Sequence, residues 1–400
     1  MQCHFTFIEG GIDLRSEILI QGVTIYAENE IIENGFLLIG GGRIIEISEY
    51  PILLAPNGHT TVIDGSNLNA IPGFIDSHIH GAKGFDTMDA TEQALDCIAS
   101  SLPEEGTTSF LATTITQSQY NIEKALENIS QYENKPGNAE ILGVHLEGPF
   151  INKEKKGAQP ESYIIEPDVK LFKQWQRISN GLIKTITLAP ECDRNNLISY
   201  LAKNRYNVSA GHSMATFEEI KESVLHGVRQ LTHLCNAMTG IHHREVGALG
   251  AAFLLESLKS ELIADEIHTS SEMLQIIYNN ISSDRIILIT DAMRAKSLKE
   301  GVYELGGQQV HVKDNRATLQ DGTLAGSILR MIDAVKNMYK LKGVTIKDVI
   351  KMAAENPAKQ IDMFDRKGSI ARGKDADVLL VDNDFNIKYT ICRGNIAYEE

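Results

Sequence analysis

Long apolar runs, a basic surplus and paired cysteines are all missing from this chain, and each absence excludes something. No apolar stretch approaches the roughly 20 residues that a membrane-spanning helix needs, and the N-terminus lacks the basic-then-apolar pattern of a secretory signal. Acidic residues outnumber basic ones, 53 to 38, for a formal net charge of -15. That balance argues against nucleic acid or an anionic membrane as the main partner. An acidic chain that binds a small anion needs a local cationic pocket. The five cysteines (Cys3, Cys97, Cys192, Cys235, Cys392) are odd in number, scattered and without CxxC spacing. They fit a reducing compartment and no disulfide framework, so the expected setting is the cytoplasm. There is also no GxGxxG after the first strong strand, no internal repeat and no low-complexity tract.

What is present is enough material for a large core: 400 residues, 42% of them hydrophobic, which suggests a big catalytic domain with a smaller companion. Both ends read as short β-strands broken by glycines. At the N-terminal end these are Ile18–Tyr26, Phe36–Ile39, Arg43–Ile47 and Thr61–Ile63, with Gly40-Gly41-Gly42 as a hairpin turn. At the C-terminal end they are Val378–Val381 and Tyr389–Arg393. Residues 1–70 and 358–400 are therefore expected to build one small β-sandwich together, with 1–16 as a loose extension. The middle, 71–357, alternates apolar runs with amphipathic stretches, the signature of βα units. Eight candidate strands are Gly73–His80, Thr107–Thr113, Glu140–Glu147, Lys184–Ala189, Asn207–His212, Gln230–Leu234, Glu261–His268 and Arg285–Asp291. Helical patterns such as Ile122–Tyr132, Val169–Ile178, Phe217–His226 and Ser271–Ile281 separate most of them. The α/β class and the count of eight predict a TIM (β/α)8 barrel, with an open doubly wound sheet as the runner-up. Residues 302–320 read as a β insertion.

Five of these strands end in a side chain able to bind metal: His78 and His80, Glu147, His212, His233 and Asp291. The two histidines of Pro72-Gly73-Phe74-Ile75-Asp76-Ser77-His78-Ile79-His80-Gly81 share one face of a strand, so both imidazoles reach one cation. A barrel gathers its strands' C-terminal ends at one site, which would bring all six groups together. Imidazole and carboxylate donors suit zinc, and also iron or manganese. Asp291 has a second role open to it, taking a proton from an activated water and delivering it to a leaving amine. A helix N-cap is its structural alternative.

The runs PGFIDSHIHG, HLEGPF (His145–Phe150), AGHS (Ala210–Ser213), THLCNAM (Thr232–Met238) and LITDAM (Leu288–Met293) together resemble the N-acetylglucosamine-6-phosphate deacetylases of the amidohydrolase superfamily. The match runs in order from about residue 18 to the C-terminus. It implies a metal-dependent barrel with a β-sandwich from both chain ends, and hydrolysis of the acetamide of N-acetylglucosamine 6-phosphate to glucosamine 6-phosphate and acetate by a metal-activated water. It makes Glu147, His212 and His233 the main ligands and Asp291 the base and then the acid. Because His78 and His80 are kept, this chain resembles the subtype able to hold two divalent ions, with Glu147 bridging; one or two per subunit are expected, zinc or iron foremost, manganese or cobalt as alternatives. Gln159 stands where single-metal members have a carbonyl-polarising histidine, and a second metal is expected to supply that polarisation.

For the substrate, the resemblance implies contacts from Ala158, Gln159, Asn236, Ala237, His268 and the Leu324-Ala325-Gly326 loop, whose bland alternative is the turn opening the next helix. Arg244 aligns with a phosphate-binding arginine contributed by a neighbouring subunit, implying at least a homodimer; a solvated surface charge is its alternative. His243 either assists it or is a surface histidine. Glu266 replaces the glycine of the family's Asp-Gly-x-His, adding bulk and charge near the expected substrate. Three further residues are expected to stand apart from the chemistry: His145 behind the ligands, Cys235 pointing away by strand alternation, and Asp76 as structural. The competing readings are the same fold acting on N-acetylgalactosamine 6-phosphate or on a cyclic amide, and a catalytically dead barrel used for assembly. A glutamate rather than a lysine at the third strand argues against the cyclic amide, and the full ligand set against the dead barrel.

Overall fold

Strands such as Thr107–Thr114 and Glu140–Glu147 are buried at every position, as strands covered on both faces must be. Residues 6–7, 17–53 and 60–400 are described by the computed structural model. Eight such strands form one parallel sheet in chain order: Phe74–Ile79, Thr107–Thr114, Glu140–Glu147, Ile183–Leu188, Asn207–Ala210, Val228–Leu231, Lys259–Ile263 and Ile286–Ile289. The last returns to the first. Asp291 N donates to His78 O at 2.8 Å, Ala292 bridges Ile79, and the buried Asp76 carboxylate accepts from Thr290 Oγ1 at 2.5 Å and from Thr290 N at 3.3 Å. Asp76 thus knits the barrel closed.

The helices between strands begin where side chains can satisfy their free N–H groups. Asp168 caps Val169–Ile178, whose Phe172 and Trp175 face the core. Thr216 and Glu219 form a capping box before Phe217–His226, and Gly227 ends that helix at φ 122°. Where Ile122 was the expected start of a helix, the helix begins three residues earlier and is capped by Ser118, giving Gln119–Gln131. Gly247–Leu254 is buried on nearly every side, so it carries no amphipathic signal for the sequence to display.

A second sheet takes strands from both chain ends. Glu17–Tyr26 pairs antiparallel with Ile31–Gly40 and parallel with Thr60–Asp64 and Asn69–Pro72. Asn69–Pro72 then pairs antiparallel with Val378–Val381, which leads to Ile387–Cys392 and Asn395–Glu399. Its core is a separate apolar cluster around Ile20, Val23, Ile25, Leu37, Val378 and Leu380. Gly301–Leu305, Gln308–Lys313 and Arg316–Thr318 form a small antiparallel sheet where the β insertion was expected. The reading of 1–16 as an extension lies outside the described residues, except that Thr6–Phe7 pairs with Ile52–Leu53. Cys97, Cys192, Cys235 and Cys392 are free thiols, and no helix among the described residues is long and apolar enough to cross a membrane.

A buried ion cluster joins barrel to tail. Lys367, about 1% exposed, meets Glu140 at 2.8 Å and Asp375 at 3.1 Å, and also pairs with Asp377. Glu140 opens the third barrel strand. Burial works against the Glu140 carboxylate, but Lys367 and Arg366 hold it below the usual carboxylate range. Removing the cation leaves buried carboxylates facing one another. Lys367→Met should therefore cost about 3–5 kcal/mol of unfolding free energy, read by denaturant titration, while a loss below about 1 kcal/mol would show that the cluster is dispensable.

Candidate metal centre

The six strand-end groups meet around one carboxylate. Glu147 Oε1 lies 3.5 Å from His78 Nε2 and 3.3 Å from both His212 Nε2 and His233 Nε2, while Oε2 lies 3.4 Å from His80 Nε2. Asp291 Oδ1 adds contacts of 3.4 Å to His78 and 3.2 Å to His80. All six are buried. Two ligand-grade groups result, His78-His80-Glu147 and Glu147-His212-His233, with Glu147 common to both. A divalent ion fits the donors present: they are all imidazole nitrogen and carboxylate oxygen, and His78 Nε2, which faces Glu147 and Asp291, is buried with no hydrogen-bond partner.

The electrostatics follow from this crowding. Burial disfavours charge on His78, yet Glu261, Glu147 and Asp291 raise its imidazole to about 9. Burial pushes the Asp291 carboxyl up, but His78 and His80 outweigh it and bring the group down to about 2. Glu147 is likewise held well below the usual range, against its burial, by His78 and the other imidazoles. Behind the ligands, burial and the neighbouring His78 drive His145 far down. Its Nδ1 donates to Ser77 O at 3.1 Å and its Nε2 pairs with Thr187 Oγ1 at 2.7 Å, so His145 supports His78 from the rear, ring centroids 4.4 Å apart.

The strands stop short of their ligands. His212, His233 and Asp291 sit at φ 50°, 31° and 48°, each two residues past its strand's last residue, Ala210, Leu231 and Ile289. The expected strands ran on to these residues, but a left-handed turn, costing a non-glycine residue about 1–2 kcal/mol, swings each side chain inward. Gly211 makes one such turn feasible: a Cβ there would lie 2.6 Å from Thr232 Cβ and 2.9 Å from Thr187 Cγ2. Strand alternation consequently does not govern Cys235, which follows at φ 79°. It is partly buried, its thiol pushed up to about 12 by burial.

A family model described as Amidohydrolase family matches residues 69–397. The chain belongs to the amidohydrolase family. It is 45% identical over 391 residues to the N-acetylglucosamine-6-phosphate deacetylase of Bacillus subtilis (strain 168), covering 96% of this chain and 98% of that protein. It is 35% identical over 328 residues to an N-acetylgalactosamine-6-phosphate deacetylase of Escherichia coli O157:H7, covering 82% and 87%. Among solved structures, an N-acetylglucosamine-6-phosphate deacetylase of Thermotoga maritima superposes with a TM-score of 0.86 at 36% identity, covering 96% of this chain and 100% of that one.

In this amidohydrolase the metal centre opens into a cavity of about 340 Å³. Ala158, Gln159, Asn236, Ala237, His268, Leu324 and Gly326 line it, as do His80, Glu147, His212, His233 and Asp291. Ala325 is buried behind that wall, in an apolar cluster with Met293 and Leu305. Arg244 lies on an exposed loop, with its guanidinium against His243 Nε2 at 2.6 Å, and is not among the residues lining the cavity. Gln159 is fully engaged: its Nε2 donates to Glu147 Oε2 at 2.6 Å and its Oε1 accepts from Thr116 N at 2.8 Å.

Two groups that sequence reasoning passed over belong here. Among the described residues, Lys155 is the one Lys or Arg lining the cavity; in the sequence it lies within the charged run Lys153-Glu154-Lys155-Lys156. Glu261 is completely buried and lies 3.0 Å from His78 Nδ1. Its strand reads Lys-Ser-Glu-Leu-Ile over Lys259–Ile263, so no apolar run marked this carboxylate as buried.

The seventh strand ends at Ile263, not His268. Asp265 ends it by accepting from Ile267 N and His268 N at 2.9 and 2.7 Å, and its other oxygen takes His268 Nδ1 at 2.7 Å. Glu266, at φ 60°, lies within that turn and does not line the cavity, so its bulk and charge fall outside the pocket wall rather than in it. Glu266→Gly should raise unfolding free energy by up to about 1 kcal/mol by relieving the left-handed backbone. Thermal denaturation with kcat/KM in parallel tests this: a large change in substrate preference would return Glu266 to the site.

Proposed function

We propose that this amidohydrolase removes the acetyl group of N-acetylglucosamine 6-phosphate, yielding glucosamine 6-phosphate and acetate, in cytoplasmic amino-sugar catabolism. One observation carries the reading: a carboxylate shared by two imidazole pairs, with Asp291 beside it, at the floor of a small-molecule cavity that a lysine lines. The names of the relatives support the substrate. A divalent ion, zinc or iron with manganese or cobalt as alternatives, one or two per subunit, supplies Lewis acidity that polarises the acetyl carbonyl and acidifies a water. His78 and His80, and His212 and His233, would hold it, with Glu147 between and Asp291 at its edge.

Asp291 takes the proton of the attacking water and returns it to the departing nitrogen. Its neighbours keep it ionised near neutrality, as a base must be. Gln159, committed to Glu147 and Thr116, orients the shared carboxylate. His268, its Nδ1 tied to Asp265, keeps Nε2 for the sugar. Asn236, Ala237 and the Leu324–Gly326 loop shape the sugar site, and Lys155 provides the cationic patch that an acidic chain needs to hold a phosphate. Arg244 completes the phosphate site of a neighbouring subunit in a homodimer.

Acetate release from N-acetylglucosamine 6-phosphate, its unphosphorylated form and the galactosamine isomer tests the assignment. The phosphorylated glucosamine substrate should give the highest kcat/KM, and preference for either of the others overturns it. Asp291→Asn should keep most metal affinity and lower kcat by roughly 10²–10⁴-fold; near-normal turnover sinks its role as base and acid. Lys155→Met should raise KM by roughly tenfold with kcat little changed, the pattern of lost uniform binding, and an unchanged KM removes it from the phosphate site.

A further inference from the structure

The two ligand groups are braced in different ways. His212 Nδ1 lies 2.8 Å from Lys155 O and His233 Nδ1 lies 3.2 Å from Asn236 O, so backbone carbonyls fix both rings. His78 Nδ1 instead faces Glu261 Oε2 at 3.0 Å, while His80 Nδ1 has no hydrogen-bond partner. Within the His-x-His pair, the hydrogen bond that orients His78 therefore comes from one buried carboxylate, with the His145 ring behind it.

Glu261 has no Lys or Arg within ion-pair distance among the described residues; His78 is its only ionic neighbour. A buried carboxylate without a cation needs donors aimed at it: His233 N donates to Oε2 at 3.3 Å, and a row of side-chain amides ends on Oε1. Gln360 Nε2 donates to Asn207 Oδ1 at 2.7 Å, Asn207 Nδ2 to Gln230 Oε1 at 3.0 Å, and Gln230 Nε2 to Glu261 Oε1 at 2.7 Å. Each amide points its N–H end toward the carboxylate, so their dipoles add in the direction that favours its negative charge. Gln360, at the far end, is only partly buried, and the row runs from there to the metal centre.

We propose that Glu261, held by the Gln360–Asn207–Gln230 amide row, is a positioning residue that fixes His78 with its proton on Nδ1 and its Nε2 lone pair toward Glu147 and Asp291, and so sets the affinity of the second metal position. The proposal rests on the reading that two ions bind, Glu147 being common to both. Outer carboxylates of this kind orient imidazole ligands, and losing one typically weakens a metal by roughly 10–100-fold.

The test counts metal rather than turnover. Chelator-stripped wild-type protein, Glu261→Gln and Gln360→Met are dialysed against graded zinc and bound metal is measured by elemental analysis. Wild type should take up two equivalents. Glu261→Gln should keep the tighter one and bind the other roughly 10–100-fold more weakly, and Gln360→Met should weaken the same equivalent at least roughly twofold. Gln360→Met also keeps the proposal testable if Glu261→Gln does not fold. Two equivalents of unchanged affinity in Glu261→Gln, or equal weakening of both, would overturn the positioning role alone. A wild type that saturates at one equivalent would overturn the two-metal reading, and the proposal with it.

Discussion

The structure is organised around the Glu147 carboxylate. Four imidazoles lie within 3.3–3.5 Å of its two oxygens, and they come from the first, fifth and sixth barrel strands while Glu147 comes from the third. Such crowding is unfavourable unless charge is balanced locally. Asp291 contributes to that balance from the eighth strand. The closure of the barrel is what makes the contact possible: in an open sheet Asp291 would lie at the edge opposite His78, whereas here its backbone N–H bonds directly to His78 O at 2.8 Å.

The layer beneath the ligands is correspondingly polar. Barrel interiors are generally filled with Val, Ile and Leu. Here His145, Thr187, Thr232 and Ser209 hydrogen-bond in a row across four strands, and Glu261, Gln230 and Asn207 form another. Every one of these side chains is buried. A buried polar layer is stable only when its members satisfy one another. Ser109 and Ser260 hydroxyls lack partners, so the layer trades some stability for rigid ligands. The left-handed turns at His212, His233 and Asp291 add strain at the same place, as is usual where geometry serves chemistry.

The elements legible in the sequence were those whose signal is local. All eight barrel strands lay where apolar runs placed them, and the six groups read at their ends are the ones the barrel brings together. Strand ends were overrun at Ala210, Leu231, Ile263 and Ile289, because periodicity registers apolarity and not a reversal of φ. Glu261 and Lys155 were missed for a related reason. A carboxylate inside a strand and a lysine among surface charges acquire meaning only from what the fold sets beside them. Glu266 is the converse: conspicuous against the family pattern, it sits in a turn outside the cavity wall.

Ligands and pocket walls therefore come from different parts of the chain. The groups that could hold a metal stand at or just past strand ends, where the barrel's hydrogen bonding limits their motion. The walls come from connecting segments and from the β insertion, which contributes Leu305, with Thr323 and Leu324 following it. Loops can change without disturbing the sheet, so one ligand set can serve several substrates within the family while the wall chooses among them. Lys155 links the two roles. Lys155 lines the cavity and its carbonyl lies 2.8 Å from His212 Nδ1, so one connecting segment both walls the cavity and braces a strand-end imidazole, and a change of backbone there would move both.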